Sequence, residues 1–184
     1  MGDVFFSVML SGLTSGAMYA LATLGLSLVW GSMGMLNMSH AALLTLGAYA
    51  ANAAVAQLGL PGVMGWVAAL LAGALAGAVL FVWVVKPLLK AQSQSFETAV
   101  LMATVGVGVA LENGILLTFG GQPMAQAVRL EGLVQVGERG VPIQNLVVMV
   151  VALVLMAATA YVLQRTRAGR AIRATTQNRD AAPL

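Results

Sequence analysis

The chain has 184 residues, of which 60% are hydrophobic and 8% charged, with a net charge of +3 and a mean hydropathy of +0.91. Because an ordinary soluble domain carries roughly 25% charged residues, this composition excludes that class and predicts a membrane protein. The absence of cysteine excludes disulfides, thiolate metal sites and a cysteine nucleophile, and the sequence predicts neither a metal site nor a cofactor.

Five apolar segments follow one another once the chain is divided at proline, glycine and charge. Each can cross roughly 30 Å of hydrocarbon as an α-helix, the conformation that satisfies its own backbone inside lipid. We therefore predict an all-α, polytopic transmembrane helix bundle over residues 1–164, with 165–184 as a cytoplasmic segment. The predicted spans are about 4–30, 35–58, 62–85, 98–119 and 143–164.

Proline and glycine mark the predicted ends of these spans. The first span is predicted to end at Trp30-Gly31, and Pro61-Gly62 separates the second from the third. Lys86-Pro87 is predicted to end the third span, because the residue before a proline is disfavoured in helical geometry. Pro142 suits the first turn of the fifth span, where its missing N–H has no helical partner to lose.

The basic residues indicate the direction of the spans, since Lys and Arg in short loops stay on the cytoplasmic side. Lys86 and Lys90 lie in the connector 86–97, whereas the loop 120–142 balances two arginines against two glutamates. This pattern predicts that the N-terminus lies outside and that the tail is cytoplasmic. The tail arginines are Arg165, Arg167, Arg170, Arg173 and Arg179.

The start of the second span concentrates polar side chains in a region without charge. Asn37 or Ser39 could cap the free N–H groups of a helix beginning there, and His40 follows directly. The alternative is solute contact, because the positive dipole end of a discontinuous helix favours a carboxylate or carbonyl group. Capping is the favoured interpretation, and solute contact stays open.

Two further polar groups lie inside predicted spans. At 100° per residue, one face of the second span carries Thr45, Tyr49 and Asn52, which either hydrogen-bond to other helices or contact solute. Glu112 and Asn113 lie in the fourth span, where an ionisable group is costly and usually faces a cavity or a partner. Snorkelling toward the interface is the alternative role for Glu112.

Pairs of glycines predict places where helix backbones approach closely in lipid. Within one bundle these would be generic helix contacts, and a dedicated dimer interface is the alternative. The pairs are Gly12 with Gly16, Gly73 with Gly77, and Gly106 with Gly108.

A specific resemblance begins at "SGLTSGAMYALATLGLSLVWGSMGMLNMSHAALLTLGAYAA". This stretch is similar to the opening of the permease subunits of branched-chain amino-acid ABC importers, a family that also includes amide and urea permeases. The departures are Met38 and Ser39, where the family has Phe-Ala, and Ala41, where it has glycine. The matching residues are Gly12, Gly16, Tyr19, Ala20, Leu21, Gly25, Leu26, Gly31, Asn37, His40, Gly47, Ala48 and Tyr49.

The tail "TRAGRAIRATTQNRDAA" resembles the cytoplasmic loop of the same family. In ABC importers such a loop includes a short helix that docks on the ATPase and carries its motion to the spans. The resemblance therefore implies an ATPase-coupling role for Thr166, Gly169, Arg170, Arg173 and Asn178, whereas spacing alone supports only a basic cytoplasmic segment. Ala171, Ala174 and Ala181 also match.

The resemblance implies a multi-pass protein of the bacterial inner membrane that works in a complex. The implied partners are a second permease subunit in a homodimer or heterodimer, two cytoplasmic ABC ATPase subunits and a periplasmic substrate-binding protein. Family members continue into further spans beyond this loop, so the chain is expected to be the N-terminal part of a permease. A truncated product, a frameshifted reading and a split subunit are the alternatives for that end.

The sequence predicts no enzyme activity of its own. It has no G-x-x-x-x-G-K-[ST] loop for ATP, and one histidine without cysteine provides no nucleophile and base pair. Nucleic acid is not a predicted partner, because the arginine cluster abuts a span and lacks interleaved aromatics. Two alternatives to the importer stay open: an ion-coupled secondary transporter or channel half, suggested by Glu112, and a non-transporting remnant.

Overall fold

The computed structural model describes residues 2–91, 96–122, 124, 130–136, 139–167 and 169–172. The chain divides into two compact units, one of residues 1–34 with 130–184 and the other of residues 35–129. The helices are α1 Gly2–Met33, α2 His40–Asn52, α3 Gly62–Leu80, α4 Lys86–Lys90, α5 Phe96–Phe119 and α6 Ile143–Arg165. The strands are β1 Leu133–Val136 and β2 Arg139–Pro142.

Four helices of the described chain are long and apolar enough to cross a membrane: Val4–Met33, Gly62–Lys90, Phe96–Phe119 and Ile143–Arg165. The protein is therefore an all-α, polytopic membrane protein, as predicted. The predicted second span, 35–58, is helical only from His40, and its last turn, Ala53–Gln57, is π-helical. The count of five spans and the outside position of the N-terminus stay predictions.

The first helix continues past its predicted end at Trp30-Gly31. Gly31 keeps helical geometry, and the helix stops only at Gly34, whose φ of 59° is left-handed. The Gly34 N–H donates to the Trp30 carbonyl at 2.8 Å, which is the capping bond that a left-handed glycine makes after a helix. Glycine adopts this φ without the steric cost that a Cβ would add, so it ends the helix.

The prediction that Lys86-Pro87 ends the third span was wrong. Lys86 has helical dihedral angles, φ −61° and ψ −42°, and helix continues from α3 through Lys90. A π-helical turn, Phe81–Val85, stands directly before Pro87 and changes the hydrogen-bonding register there. In this register the Lys86 N–H donates to the Phe81 carbonyl, five residues back, and Pro87, which has no N–H, follows directly.

In the first unit, α1 packs against α6, and the two strands form a hairpin before α6. The hairpin is antiparallel, with Leu133 paired to Pro142, and the sequence analysis did not predict it. Pro142 is extended (φ −58°, ψ 129°) and precedes α6, so it does not lie in the first helical turn as predicted. The Ile143 N–H donates to the Gly132 carbonyl at 3.1 Å and joins the hairpin to the helix.

In the second unit, α2 packs against both α3 and α5. A close approach to α3 is at Gly47, where an added Cβ would lie 3.4 Å from the Ala69 carbonyl oxygen. Gly108 makes a similar approach to Ser39. The other predicted glycine contacts are open, since a Cβ at Gly12, Gly16, Gly73, Gly77 or Gly106 would meet no described atom within 4 Å.

Candidate functional site

The turn before α2 is held by the side chain of Asn37. Its Oδ1 accepts hydrogen bonds from the Ser39 N–H at 3.0 Å and from the Ser39 hydroxyl at 2.7 Å. The His40 N–H donates to the Asn37 carbonyl at 3.3 Å, and Ser39 occupies the position before the first helical residue without a side-chain cap bond of its own. Asn37 is therefore the residue that satisfies this turn, through local bonds typical of asparagine.

This turn packs against α5. We call the turn, residues 37–39, together with Thr104 and Gly108 of α5 the closed contact. The Met38 N–H donates to Thr104 Oγ1 at 3.1 Å, and the Thr104 hydroxyl donates to the Leu101 carbonyl at 3.0 Å. Ser39 and Thr104 are both fully buried. A Cβ at Gly108 would lie 3.4 Å from Ser39 Cα, so only a very small residue fits there.

Sequence reasoning missed Thr104, although a signal for it was present. Thr104 and Gly108 are four residues apart, so they share one face of α5 and form a small-residue pair. Gly108 was assigned instead to a pair with Gly106, which lies on a different face and meets nothing within 4 Å. Thr104 and Gly108, which are about one helical turn apart, both contact the turn before α2.

The closed contact provides hydrogen-bond partners for backbone that is not helical. Residues 34–37 are not helical, and they lead into a turn that contacts α5 near the middle of its 24 residues. Non-helical backbone at membrane depth is tolerated only where protein or a water-filled cavity satisfies it. Here Asn37 and Thr104 each accept a backbone N–H, so two N–H groups of this non-helical stretch have partners within the protein.

The second feature of the same helix pair is a cleft of about 290 Å³ between α2 and the C-terminal half of α5. We call it the open cleft. Of the predicted site residues, it brings together Thr45 and Tyr49 from α2 and Glu112 from α5. Its lining residues are Thr45, Tyr49, Glu112, Ile115, Leu116, Gly120, Gly121 and Gln122.

Two structural details shape the open cleft. The Tyr49 ring packs on Phe119 with ring centroids 4.6 Å apart and planes inclined at 39°, which fixes the position of Tyr49 at one wall. Gly120 ends α5 with a left-handed φ of 79°, and its N–H donates to the Leu116 carbonyl at 2.8 Å. The chain therefore turns at Gly120 and places Gln122 on the cleft.

The other predicted site residues have different surroundings. The Asn52 side-chain amide donates to Met124 Sδ at 3.4 Å, and that of Asn113 donates to its own helix at the Val109 carbonyl, 2.8 Å away. His40 is half-buried at the start of α2. Asn37 and Ser39 belong to the closed contact. Of the predicted site residues, several therefore make structural hydrogen bonds, and only Thr45, Tyr49 and Glu112 line the cleft.

The predicted ATPase-coupling segment begins with a corner at Thr166. Thr166 is extended (φ −95°, ψ 163°) where α6 ends, and its hydroxyl donates to the Val162 carbonyl at 2.6 Å. The same hydroxyl accepts the Gly169 N–H at 3.1 Å, and the Arg170 N–H donates to the Thr166 carbonyl at 3.1 Å. Thr166 therefore caps the start of a second helical turn.

Gly169 lets this second turn lie directly against α6. It is buried, and an added Cβ would overlap the carbonyl oxygens of Val162 and Leu163, which are backbone atoms that cannot rotate away. The side chain of Arg170 is exposed. Arg173 and Asn178, the remaining predicted coupling residues, lie outside the described residues.

A polar cleft in the first unit was also missed. Ser7 and Ser11 of α1 line it together with Asn145 of α6, and its volume is about 640 Å³. The available signal was the spacing of Ser7, Ser11 and Ser15, which puts three hydroxyl groups on one face of a helix that can cross a membrane.

Comparison with known proteins identifies a family for almost the whole chain. A family model described as the permease component of the branched-chain amino acid transport system matches residues 8–184. No solved structure matches the chain.

Named relatives agree with this match. The high-affinity branched-chain amino acid transport system permease protein LivH of Escherichia coli K12 is 28% identical over 189 residues, which cover 98% of this chain and 61% of LivH. BraD of Pseudomonas aeruginosa, described in the same words, is 26% identical over 183 residues, covering 95% of this chain and 60% of BraD. This chain thus spans less than two thirds of the length of either relative. From the match over residues 8–184, the chain belongs to the family of branched-chain amino acid transport system permease components.

Proposed function

We propose that the protein is a permease subunit of an ABC importer that moves branched-chain or related amino acids across the bacterial inner membrane. The observation that carries this proposal is the family match over residues 8–184 in a chain with four helices able to span a membrane. LivH and BraD are named as permeases for branched-chain amino acids, which supports the same solute class for this chain.

The open cleft is the proposed solute contact within the second unit. Thr45, Tyr49 and Glu112 place polar groups in it, next to the apolar side chains of Ile115 and Leu116. Small-molecule sites combine such apolar walls with a few polar groups that fix orientation. The closed contact has the supporting role, because its polar groups are occupied in starting α2 beside that cleft.

The segment from Thr166 to Asn178 is the proposed contact with a cytoplasmic ATPase. The corner at Thr166 and the close approach at Gly169 attach its first turn firmly to α6, so a displacement of that turn would reach the membrane helix. ATP hydrolysis would then belong to two partner ATPases. A second permease chain and a periplasmic substrate-binding protein complete the proposed complex.

The coupling proposal is tested by copurification of the ATPase with the tagged permease. Arg170→Glu combined with Arg173→Glu should reduce the recovered ATPase at least fivefold, because both changes invert charge on the docking segment. Arg139→Glu is the control, since it makes the same change in the loop predicted to face the opposite side. Unchanged ATPase recovery in the double variant would contradict the coupling role.

One observation favours a second candidate, an ion-coupled transporter. Glu112 lies in a membrane helix and lines a cleft, where carboxylates of transporters often carry protons. Uptake by proteoliposomes distinguishes the two functions. Leucine uptake that needs ATP and the ATPase supports the importer, whereas uptake that persists without ATP and collapses with the ion gradient supports the secondary transporter.

A further inference from the structure

The open cleft contains a carboxylate without a partner. Among the described residues, Glu112 makes no hydrogen bond and no ion pair, although it lies on a helix long and apolar enough to cross a membrane. It lies seven residues before Phe119, about 10 Å along the helix axis. A carboxylate in such a helix is costly unless it faces water or a cation, so its presence here requires one of them.

The same cleft offers hydrogen-bond donors as well. Tyr49 and Gln122 line it, and neither the Tyr49 hydroxyl nor the Gln122 side-chain amide has a hydrogen-bond partner among the described residues. The Thr45 hydroxyl differs, because it already donates to the Ala41 carbonyl at 3.0 Å and can only accept a further bond. The free groups are therefore one anionic acceptor and two neutral donors.

An apolar surface separates these polar groups from the rest of α5. Ile115 is buried and Leu116 lines the cleft beside it. A Cβ at Gly121 would lie 3.3 Å from Leu116 Cδ1, so the turn after α5 closes tightly over this surface. The cleft volume of about 290 Å³ lies at the small end of the roughly 300–1,000 Å³ that ligand sites occupy.

We infer that the open cleft binds a small zwitterion with a short apolar side chain, and that Glu112 is the counter-charge for its ammonium group. Tyr49 and Gln122 donate to the solute carboxylate, and Ile115 with Leu116 contacts the side chain. This inference rests on the proposed function and deepens it. An unpaired carboxylate selects an amine-bearing solute over a neutral amide or urea, because only the amine supplies a positive charge.

The first experiment measures ATP-driven uptake of radiolabelled L-leucine by the assembled complex with its external binding protein, per amount of purified complex. Glu112→Gln keeps the shape and removes the charge, and it should lower the maximal rate at least tenfold. Glu112→Asp keeps the charge and should retain at least a third of the rate. Glu97→Gln is the matched control, because Glu97 is exposed in the first turn of the same helix, and it should stay within twofold.

A second experiment reads occupancy of the cleft directly and uses the absence of cysteine from this chain. In Thr45→Cys, which places a thiol in the cleft and keeps Glu112, millimolar leucine should slow labelling of the thiol by methanethiosulfonate reagents at least threefold, whereas the deaminated analogue 4-methylpentanoate should not protect. In Glu112→Cys, uptake of leucine is measured after labelling of the new thiol. Attachment of a sulfonate-bearing reagent should restore uptake in part, and attachment of a trimethylammonium reagent should not.

The outcomes separate this inference from the proposed function. No ATP-driven leucine uptake by the unaltered complex overturns the proposed function, and the ammonium site with it. The ammonium site alone is overturned if the unaltered complex takes up leucine normally and Glu112→Gln takes it up equally well. Equal protection by leucine and 4-methylpentanoate overturns it too. A structural role for Glu112 would instead lower the yield of assembled complex and leave leucine without protective effect.

Discussion

Helices α2 and α5 meet at two places that differ in character. At the closed contact, the polar side chains have partners: Asn37 Oδ1 and Thr104 Oγ1 accept backbone N–H groups, and the buried Ser39 hydroxyl donates to Asn37 Oδ1. At the open cleft, a carboxylate, a phenol and an amide share a space of about 290 Å³ without partners among the described residues.

Under the proposed function, the same helix pair would provide stability at the closed contact and solute selectivity at the open cleft. Burying a polar group without a hydrogen bond costs about 1–3 kcal/mol, so satisfied groups at the closed contact stabilise the start of α2. Under the proposed function, the unpartnered groups at the open cleft would be those that bond to the solute. Substitutions should therefore lower stability at the closed contact and change transport at the open cleft.

The largest effect is expected for Gly108→Leu. A Cβ at Gly108 already reaches 3.4 Å from Ser39 Cα, so a leucine side chain would overlap the turn and force α2 away from α5. Such overpacking costs up to about 3 kcal/mol. The midpoint of SDS-induced unfolding of the purified protein in nanodiscs measures it.

Gly106→Leu is the matched control for this change. It adds the same side chain two residues earlier, where a Cβ would meet no described atom within 4 Å. Its unfolding midpoint should stay near that of the unaltered protein. Equal losses at the two positions would show that the closed contact is not tightly packed.

The next largest effect is expected for Thr104→Val, which keeps the shape and removes the acceptor of the Met38 N–H. The part-buried N–H would lose its partner, at a cost of about 2 kcal/mol. Hydrogen exchange at the Met38 amide should become faster as well. Thr118→Val serves for comparison, because Thr118 is exposed and donates only to the Gly114 carbonyl of its own helix; stability losses of the same size in both variants would refute the role given to Thr104.

A smaller loss of stability is expected for Asn37→Ala. The substitution removes the acceptor of the Ser39 N–H and hydroxyl, and the loss of a hydrogen bond of this kind typically costs about 1 kcal/mol. Because Asn37 has a structural role, the KM for leucine uptake should stay unchanged when rates are corrected for folded protein. A KM that rises severalfold at unchanged stability would assign Asn37 to the solute instead.

The smallest stability effect is expected for Tyr49→Phe at the open cleft. The ring contact with Phe119 is retained, and the hydroxyl has no partner among the described residues, so stability should change by no more than about 0.5 kcal/mol. Leucine uptake should nevertheless fall severalfold, because a donor to the solute carboxylate is lost. A marked fall in the unfolding midpoint would contradict the distinction between the closed contact and the open cleft.

Local patterns predicted the helices well where a single stretch of chain decides the outcome. Length and hydropathy identified the helices that contain 98–119 and 143–164 almost to their ends, since an apolar run in lipid has no alternative to helix. Pro87 was misjudged because the π-helical turn before it depends on how several residues share hydrogen bonds. The hairpin before α6 was missed because its four-residue strands are too short to show a period.

The candidate site, like the helices, could be predicted from the sequence only in part. Thr45, Tyr49 and Glu112 could be chosen from the sequence, because polar residues stand out in apolar helices. The sequence could not show that Asn52 and Asn113 lie outside this group, since their side-chain amides bond to Met124 and to Val109. Thr104 was not chosen because one hydroxyl in a helix usually bonds to its own backbone, as Thr118 does.

Sequence patterns alone were enough to predict a helical membrane protein and to indicate its family, because apolar runs and motif residues are properties of neighbouring positions. Which polar groups have partners, by contrast, depends on helix packing. A hydrogen bond such as that from Met38 to Thr104 joins residues 66 positions apart. Its formation depends on the packing of α2 against α5, which no local stretch specifies.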